Sequence, residues 1–219
     1  MLIWQTIRPS VLGRHVHERP YAALVRSGCY EEAGDTGRHR VTAGDVIFHE
    51  AFEGHLDRIP GSNVEILNLP LPAHYVSQFP LGTTSDPDAI VSLAERSEHE
   101  AAALLLSSTE IREPEYQDWP DELAAALLSD ASVNLSNWSQ DTGISAWTLS
   151  RGFAQVFGTS PSAFRARSRV RQAWRAIRTT NTPLSTIAAD CGFADQAHMT
   201  RGIKSMTGDC PTCWRSSCK

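Results

Sequence analysis

The chain changes its hydrophobic rhythm once. Up to about Leu81 the apolar residues come in short runs broken by Gly and Pro, as in "YAALVRSGCYEE", "HRVTAGDVIFHEAFEGH" and "SNVEILNLPL". Alternation and short β-rich runs separated by turn residues predict strands, and several of them in succession predict a small barrel or sandwich. "PLGTTSDPD" then breaks the pattern, and Ile90, Leu93, Ala94, Ser97, Ala101, Leu104 and Leu105 recur at helical spacing, which predicts a helix over Ala89–Leu106. "REPEYQDWPDE" reads as a second linker, and Pro120 suits the first turn of a helix that continues through "DELAAALLSDA". From there on every segment is short and helical. The division expected is residues 1–81 as a β domain, 82–118 as a linker helix and candidate dimerisation element, and 119–219 as a helical domain.

Within the helical region a unit occurs twice. Asp141 and Gly143 pair with Asp190 and Gly192 at an offset of 49, whereas Ser145, Leu149, Arg151, Gly152, Phe153, Gly158, Pro161, Phe164 and Arg165 pair with Asp195, Met199, Arg201, Gly202, Ile203, Gly208, Pro211, Trp214 and Arg215 at an offset of 50. The second turn is therefore one residue longer, between the Gly and the capping residue. In each copy a short helix ends at a Gly able to take positive φ, a tight turn follows, and Ser145 or Asp195 offers an oxygen as N-cap for the next helix. Leu149, Phe153 and Val156 share one face of that helix, as do Met199, Ile203 and Met206. The opposite face carries Trp147, Ser150 and Arg151 in the first copy and Gln196, His198, Thr200, Arg201 and Lys204 in the second. Such hydrogen-bonding and cationic groups can read base edges in a major groove, which makes each copy a helix-turn-helix, over residues 134–157 and 184–206. "PSAFRARSRVRQAWRAIR" joins the two copies with Arg165, Arg167, Arg169, Arg171, Arg175 and Arg178. A helix there can hold the reading helices about one DNA turn apart, roughly 34 Å. The plain alternative is a helical bundle with solvated polar faces, which does not account for caps, turn glycines and arginines at equal register.

Charge sharpens this division. The formal net charge of −5 argues weakly against a polyanionic partner, yet residues 131–219 hold 11 Lys and Arg against 4 Asp and Glu, and residues 1–130 hold 9 against 21. The helical region is thus suited to a polyanion. The start "MLIWQTIRPS" lacks the basic and apolar regions of a secretory signal, and "EAAALLLSS" is too short to cross a bilayer, so a soluble cytoplasmic protein without a membrane partner is expected. Cys29, Cys191, Cys210, Cys213 and Cys218 are odd in number and unevenly spread, unlike a disulfide framework.

Residues from about 120 to 216 resemble the DNA-binding domain of the AraC/XylS family of bacterial transcription regulators. "GFADQAHMTRGIKSMTGDCPTCWR" is similar to that family's second helix-turn-helix and closing Pro-x-x-Trp/Tyr-Arg element, and "LSRGFAQVFGTSPSAFRARSRVRQAW" to the end of the first and the start of the connecting helix. The resemblance implies an α+β two-domain chain with a seven-helix C-terminal domain, binding to two successive major-groove segments of double-stranded DNA, activation or repression of transcription, and RNA polymerase as a partner. Carried over, it implies base contacts from Trp147, Ser150, Arg151, Gln196, His198 and Arg201, and phosphate contacts from Thr148, Thr200, Arg165 and Lys204. The family pattern is departed from at Gly152 and Gly202, which sit inside the reading helices, and at Cys210 and Cys213.

In the first half, His15 and His17 share a face of any strand that contains both, and Gly44 precedes His55 by eleven residues. That combination resembles the cupin β-barrel, the effector-binding domain of many AraC-type regulators. It implies a small-molecule effector near His15, His17, Tyr21 and His55, and His15, His17 and His55 as a divalent metal site with Glu50, Glu53 or Asp57 as an extra ligand; no other cofactor is expected. Against this, Tyr21 and Ala22 stand where the first metal motif has its Glu, and Glu50 and Phe52 where the second has its Pro and Gly. His49 is expected outside the site on strand parity. Histidines of an organic-ligand pocket or a surface strand are the plain alternative. The stripe between Ala89 and Leu106 fits either a homodimer interface or core packing. Cys210 and Cys213 fit a zinc or redox pair, or thiols at the start of a terminal helix. Three functions stay open: a ligand-responsive transcription regulator, a metal-dependent cupin enzyme fused to a DNA-binding module, and an architectural DNA-binding protein.

Overall fold

The computed structural model describes residues 4–77, 79–113, 115, 118–129 and 133–216, and the chain divides into two compact units, 1–116 and 117–219. In the first unit strands β1 (Trp4–Ile7), β2 (Ser10–His17), β3 (Tyr21–Ser27), β4 (Cys29–Gly34), β5 (Gly37–Thr42), β6 (Asp45–His49), β7 (Glu53–Ile59) and β8 (Val64–Pro70) follow one another. Then come β9 (Leu81–Thr84), helices α1 (Pro87–Ala94) and α2 (Glu98–Ser108), and β10 (Thr109–Ile111). The strands form two antiparallel sheets, in the orders β1-β8-β3-β6-β9-β10 and β2-β7-β4-β5. This is a sandwich of two sheets with a helical pair.

Strand β3 shows why the pattern is as it is. Its run "YAALV" is buried throughout and does not alternate, because both of its faces are covered. Ala22 and Leu24 pack with Phe48, Leu67, Leu69 and the α1–α2 pair, while Tyr21, Ala23 and Val25 pack with Tyr30, Val41 and Ile59 of the other sheet.

Two expectations are corrected here. The helix expected over Ala89–Leu106 is two helices, because Ser97 is extended (φ −154°, ψ 105°) and its side chain accepts from the Glu100 N–H as N-cap of α2. The stripe of that segment is core packing, with Ile90, Ala94, Ala101 and Leu105 buried against the sheet and Leu104 exposed. Nor are residues 82–118 a linker as a whole. Strand β9 pairs with β6 and β10 pairs with β9, which stitches Leu81–Ile111 into the first sheet. Arg112 Nη1 fastens the end of this segment to Asp45 Oδ2 at 2.7 Å.

The second unit has seven helices among its described residues: α3 (Trp119–Ser129), α4 (Leu135–Thr142), α5 (Ala146–Phe157), α6 (Pro161–Thr179), α7 (Leu184–Asp190), α8 (Gln196–Thr207) and α9 (Pro211–Ser216). Long α6 is the spine. Phe164, Trp174 and Ile177 on it are buried, and Phe153 of α5 meets Phe164 edge-on at 5.3 Å between centroids. Among the described residues no helix is long and apolar enough to cross a membrane.

The helical glycines have a packing reason. A Cβ at Gly152 of α5 would lie 2.5 Å from Trp119 Cζ2, and one at Gly202 of α8 would lie 2.9 Å from Val170 Cγ2 of α6. A side chain at either position would force the neighbouring Trp119 or Val170 side chain to shift. Helix propensity alone would make Gly152→Ala stabilising by about 1 kcal/mol. The packing predicts the opposite sign, read as a lower urea midpoint for unfolding of the second unit.

Candidate nucleic-acid interface and sandwich pocket

The two repeats fold as two matched turns. Helix α4 ends at Gly143 (φ 68°), and Ser145 Oγ accepts from the Thr148 N–H at 3.1 Å to cap α5. Helix α7 is followed by Gly192 (φ 71°), and Asp195 Oδ1 accepts from the His198 N–H at 2.6 Å to cap α8. The buried face of α5 is Leu149, Phe153 and Phe157, so Phe157 takes the place expected of Val156, which is half-buried. On α8 Met199 and Ile203 are buried and Met206 is half-buried.

With those stripes turned inward, Trp147, Thr148, Ser150 and Arg151 on α5 and Gln196, His198, Arg201 and Lys204 on α8 are exposed; Thr200 is half-buried. Trp147 is 67% exposed, unusual for so large an apolar ring, and the Arg151 guanidinium lies 4.6 Å from its centroid. The His198 ring meets Phe193 edge-on at 5.3 Å. Each copy thus offers hydrogen-bonding groups and an arginine on the first turns of its second helix, the end of such a helix that enters a groove.

The expected cationic strip on α6 is mostly internal. Arg171 is buried, and Arg165, Arg167, Arg169, Arg175 and Arg178 are half-buried. The Arg178 guanidinium sits 4.3 Å from the Trp174 ring centroid. Arg165 is a tie within the unit rather than an open phosphate contact: its Nη1 donates to the Val133 carbonyl at 2.6 Å, just before α4. Arg215, its repeat partner, donates from Nη2 to the Thr182 carbonyl at 2.7 Å, just before α7. Each arginine closes its helix-turn-helix from behind. The cost of leaving a half-buried guanidinium and carbonyl unmatched explains why both copies keep the pair. Cys210 precedes α9, and its Sγ lies 3.4 Å from the Cys213 N; Cys218 lies outside the described residues.

Between the two sheets of the first unit lies a pocket of about 130 Å³. His15 and His55 stand opposite each other on β2 and β7, with His17 two residues along β2. The ring centroids of His15 and His17 lie 4.4 and 5.4 Å from that of His55. The expected histidines and Tyr21 therefore do meet. His49 belongs with them, contrary to the parity argument. It stands opposite Tyr21 across β3 and β6, stacked on the Tyr21 ring at 4.4 Å, and its centroid is 4.7 Å from that of His55. Parity failed because His49 and His55 lie in different sheets, and the chain crosses between them at Glu50–Phe52. Phe52 holds φ 61° there, a region that favours glycine.

Glu32 was not foreseen. It lies on β4 opposite Asp57, and its Oε2 is 3.1 Å from His55 Nδ1 and 3.5 Å from His49 Nε2. Asp57 Oδ1 is 3.3 Å from His55 Nδ1. The acidic pair in "CYEEAG" was its only sequence signal. Glu53 and Glu50 turn elsewhere: Glu53 accepts from Thr36 Oγ1 and the Glu50 N–H, and Glu50 accepts from the Ser77 N–H. Burial pushes the Glu32 carboxyl up to about 7, against the pull of His55. Burial works against a charge on His55, but the Glu32 and Asp57 carboxylates outweigh it and raise its pKa. Burial, then the neighbouring His55 and His15, lowers His17 to about 4. Two sets of donors, His15–His17–His55 and Glu32–His49–His55, converge closely enough to hold a metal ion.

Residues 138–217 match the family model described as a helix-turn-helix domain. The arabinose operon regulatory protein of Escherichia coli (strain K12) is 32% identical over 92 residues, which are 42% of this chain and 32% of that protein. The corresponding protein of Salmonella typhimurium is also 32% identical over 92 residues, 42% of this chain and 33% of that one. The chain thus spans about a third of the length of these curated relatives. Among solved structures, ToxT from Vibrio cholerae is 10% identical over 98% of both chains with a TM-score of 0.46. A probable AraC family transcriptional regulator from Rhodopseudomonas palustris CGA009 is 24% identical over 44% of this chain and 94% of that one, with a TM-score of 0.41.

The capping geometry carries a prediction. Asp195→Ala leaves the His198 N–H without its partner and is expected to cost about 1 kcal/mol. Urea unfolding of the second unit measures it, and Asp195→Asn is expected to recover most of the loss.

Proposed function

We propose that the C-terminal unit of this chain is a helix-turn-helix domain of the AraC type and that the protein is a sequence-specific, DNA-binding transcription regulator rather than an enzyme. The observation that carries this reading is the match between the two exposed helix faces. Each starts at a side-chain cap, is pinned by an apolar stripe, and presents an arginine at the same register from that cap, Arg151 after Ser145 and Arg201 after Asp195. Trp147, Ser150 and Arg151 read one major-groove segment, and Gln196, His198 and Arg201 read the next. Thr148, Thr200 and Lys204 contact phosphates and set register. A bare bundle would have no reason to leave Trp147 so exposed beside Arg151.

The sandwich is the sensor, a cupin-like domain whose effector enters the pocket lined by His15, His17, Tyr21 and His55. For the effector to regulate, it must bind two states of the chain with different affinity. The family also implies RNA polymerase and a second copy of the chain as partners, and a cytoplasmic place of action without a membrane. Whether transcription rises or falls depends on where the operator lies relative to the promoter.

Selection of duplexes from a randomised pool by the full chain tests the reading, with an enriched site spanning two major-groove segments as the expected result. Against that site, Arg201→Ala is expected to cost about 1–3 kcal/mol and relax the preference at one position. Lys204→Ala is expected to weaken all sequences alike and to lower the slope of log affinity against log salt by about one. An unchanged base preference in Arg201→Ala would remove α8 from the groove.

A further inference from the structure

The sandwich pocket holds more than the histidines that its sequence motif advertises. At about 130 Å³ it is small for an organic effector, since pockets for such ligands are commonly about 300–1,000 Å³. It suits an ion and a few waters, at roughly 30 Å³ for each water. Its floor is a buried set of donors. Glu32 is 1% exposed, His49 1% and His55 4%. Both Glu32 oxygens, His55 Nδ1 and Asp57 Oδ1 are shut off from solvent, and the single His55 Nδ1 is shared between the Glu32 and Asp57 carboxylates. Buried polar atoms of this kind cost free energy unless something satisfies them.

Their spacing is that of a coordination sphere. Donors at about 2.0–2.2 Å from a tetrahedral ion stand roughly 3.3–3.6 Å from one another. Glu32 Oε2 is 3.1 Å from His55 Nδ1 and 3.5 Å from His49 Nε2, and Asp57 Oδ1 is 3.3 Å from His55 Nδ1. The opposite nitrogen of the His55 ring is also attended, with Tyr21 Oη 3.4 Å from Nε2. A group in that place orients a metal-binding imidazole.

We propose that Glu32, His49 and His55 bind one divalent first-row transition-metal ion, with water completing its shell, and that this ion is the effector of the chain. Two imidazoles with carboxylate oxygens favour ions such as Zn²⁺, Fe²⁺ or Mn²⁺ and disfavour Mg²⁺ and Ca²⁺, which take oxygen ligands, and Cu⁺, which takes sulfur. His15 and His17 are not the core of the site. They are half-buried, whereas Glu32, His49 and His55 are at most 4% exposed. They line the half-buried side of the pocket, beside His55. The second half of the proposal rests on the reading of the chain as a regulator; the first does not.

The test uses the full chain, stripped with a chelator, in equilibrium dialysis against ZnCl₂ with metal analysis, and with Co²⁺ as an absorbing probe. One ion per chain is expected, with visible Co²⁺ bands of a low-coordinate N/O site. E32Q and H49Q, each checked for an unchanged near-UV spectrum, are expected to weaken binding by about 100-fold or more, since even the loss of an outer partner costs about 10–100-fold. The H15Q/H17Q double variant is expected to stay within about tenfold of the parent by the same scale. Affinity for the selected duplex, measured on the same samples, is expected to change on adding ZnCl₂ in the parent and not in E32Q. Absence of stoichiometric binding in the parent overturns the site, as does loss of the ion in H15Q/H17Q with retention in E32Q and H49Q. Ion binding without any change in duplex affinity overturns the effector role and leaves the regulator reading standing. Failure to bind any duplex, with or without ion, overturns the regulator reading, while dialysis still decides the site.

Discussion

The C-terminal unit depends on how two apolar stripes seat against its neighbouring helices. Leu149, Phe153 and Phe157 on α5, and Met199 and Ile203 on α8, are all at most 3% exposed. Each such side chain contributes about 1.5–3 kcal/mol on burial. A helix has one rotational setting that buries its stripe, so the stripes also decide which residues face out. The close approach of Trp119 to Gly152 and of Val170 to Gly202 removes the remaining freedom. Arg165 and Arg215 then fasten the chain ahead of each first helix. The outward faces are what the packing leaves over, and they are cationic and hydrogen-bonding in both copies.

Much of this was legible in the sequence because its signals are local. A capping oxygen, a left-handed glycine and a 3.6-residue stripe all act within a few residues, so the repeat at offsets 49 and 50 reads directly as two turns. What was misread depends on distant partners. Arg165 looks like an open cation until Val133, 32 residues earlier, is brought to it. The segment 82–118 looks like a linker until β9 and β10 pair, since strands as short as Leu81–Thr84 and Thr109–Ile111 leave almost no periodic trace.

The pocket divides in the same way. His15, His17 and His55 were visible because i and i+2 positions share a strand face and because β2 and β7 are direct partners. His49 and Glu32 were not, since they come from β6 in one sheet and β4 in the other and meet only when the sheets pack. Placing these imidazoles and carboxylates in so small a buried space opposes folding unless their charges are matched. A sandwich that keeps such a cluster among Tyr21, Tyr30 and Ile59 retains it against the pull of simple apolar packing. That contrast separates the pocket from the ordinary core on its other side, where Ala22, Leu24, Phe48 and the helical pair meet as an apolar cluster.

The central claim is that α5 and α8 enter successive major grooves on one face of a duplex. Methylation interference at guanine N7 along a selected site measures this most directly, because N7 lies in the major groove. The account predicts two clusters of interference about 10–10.5 base pairs apart, with Arg151→Ala erasing only one and Arg201→Ala only the other. A single cluster, or two that respond together to either substitution, would contradict it.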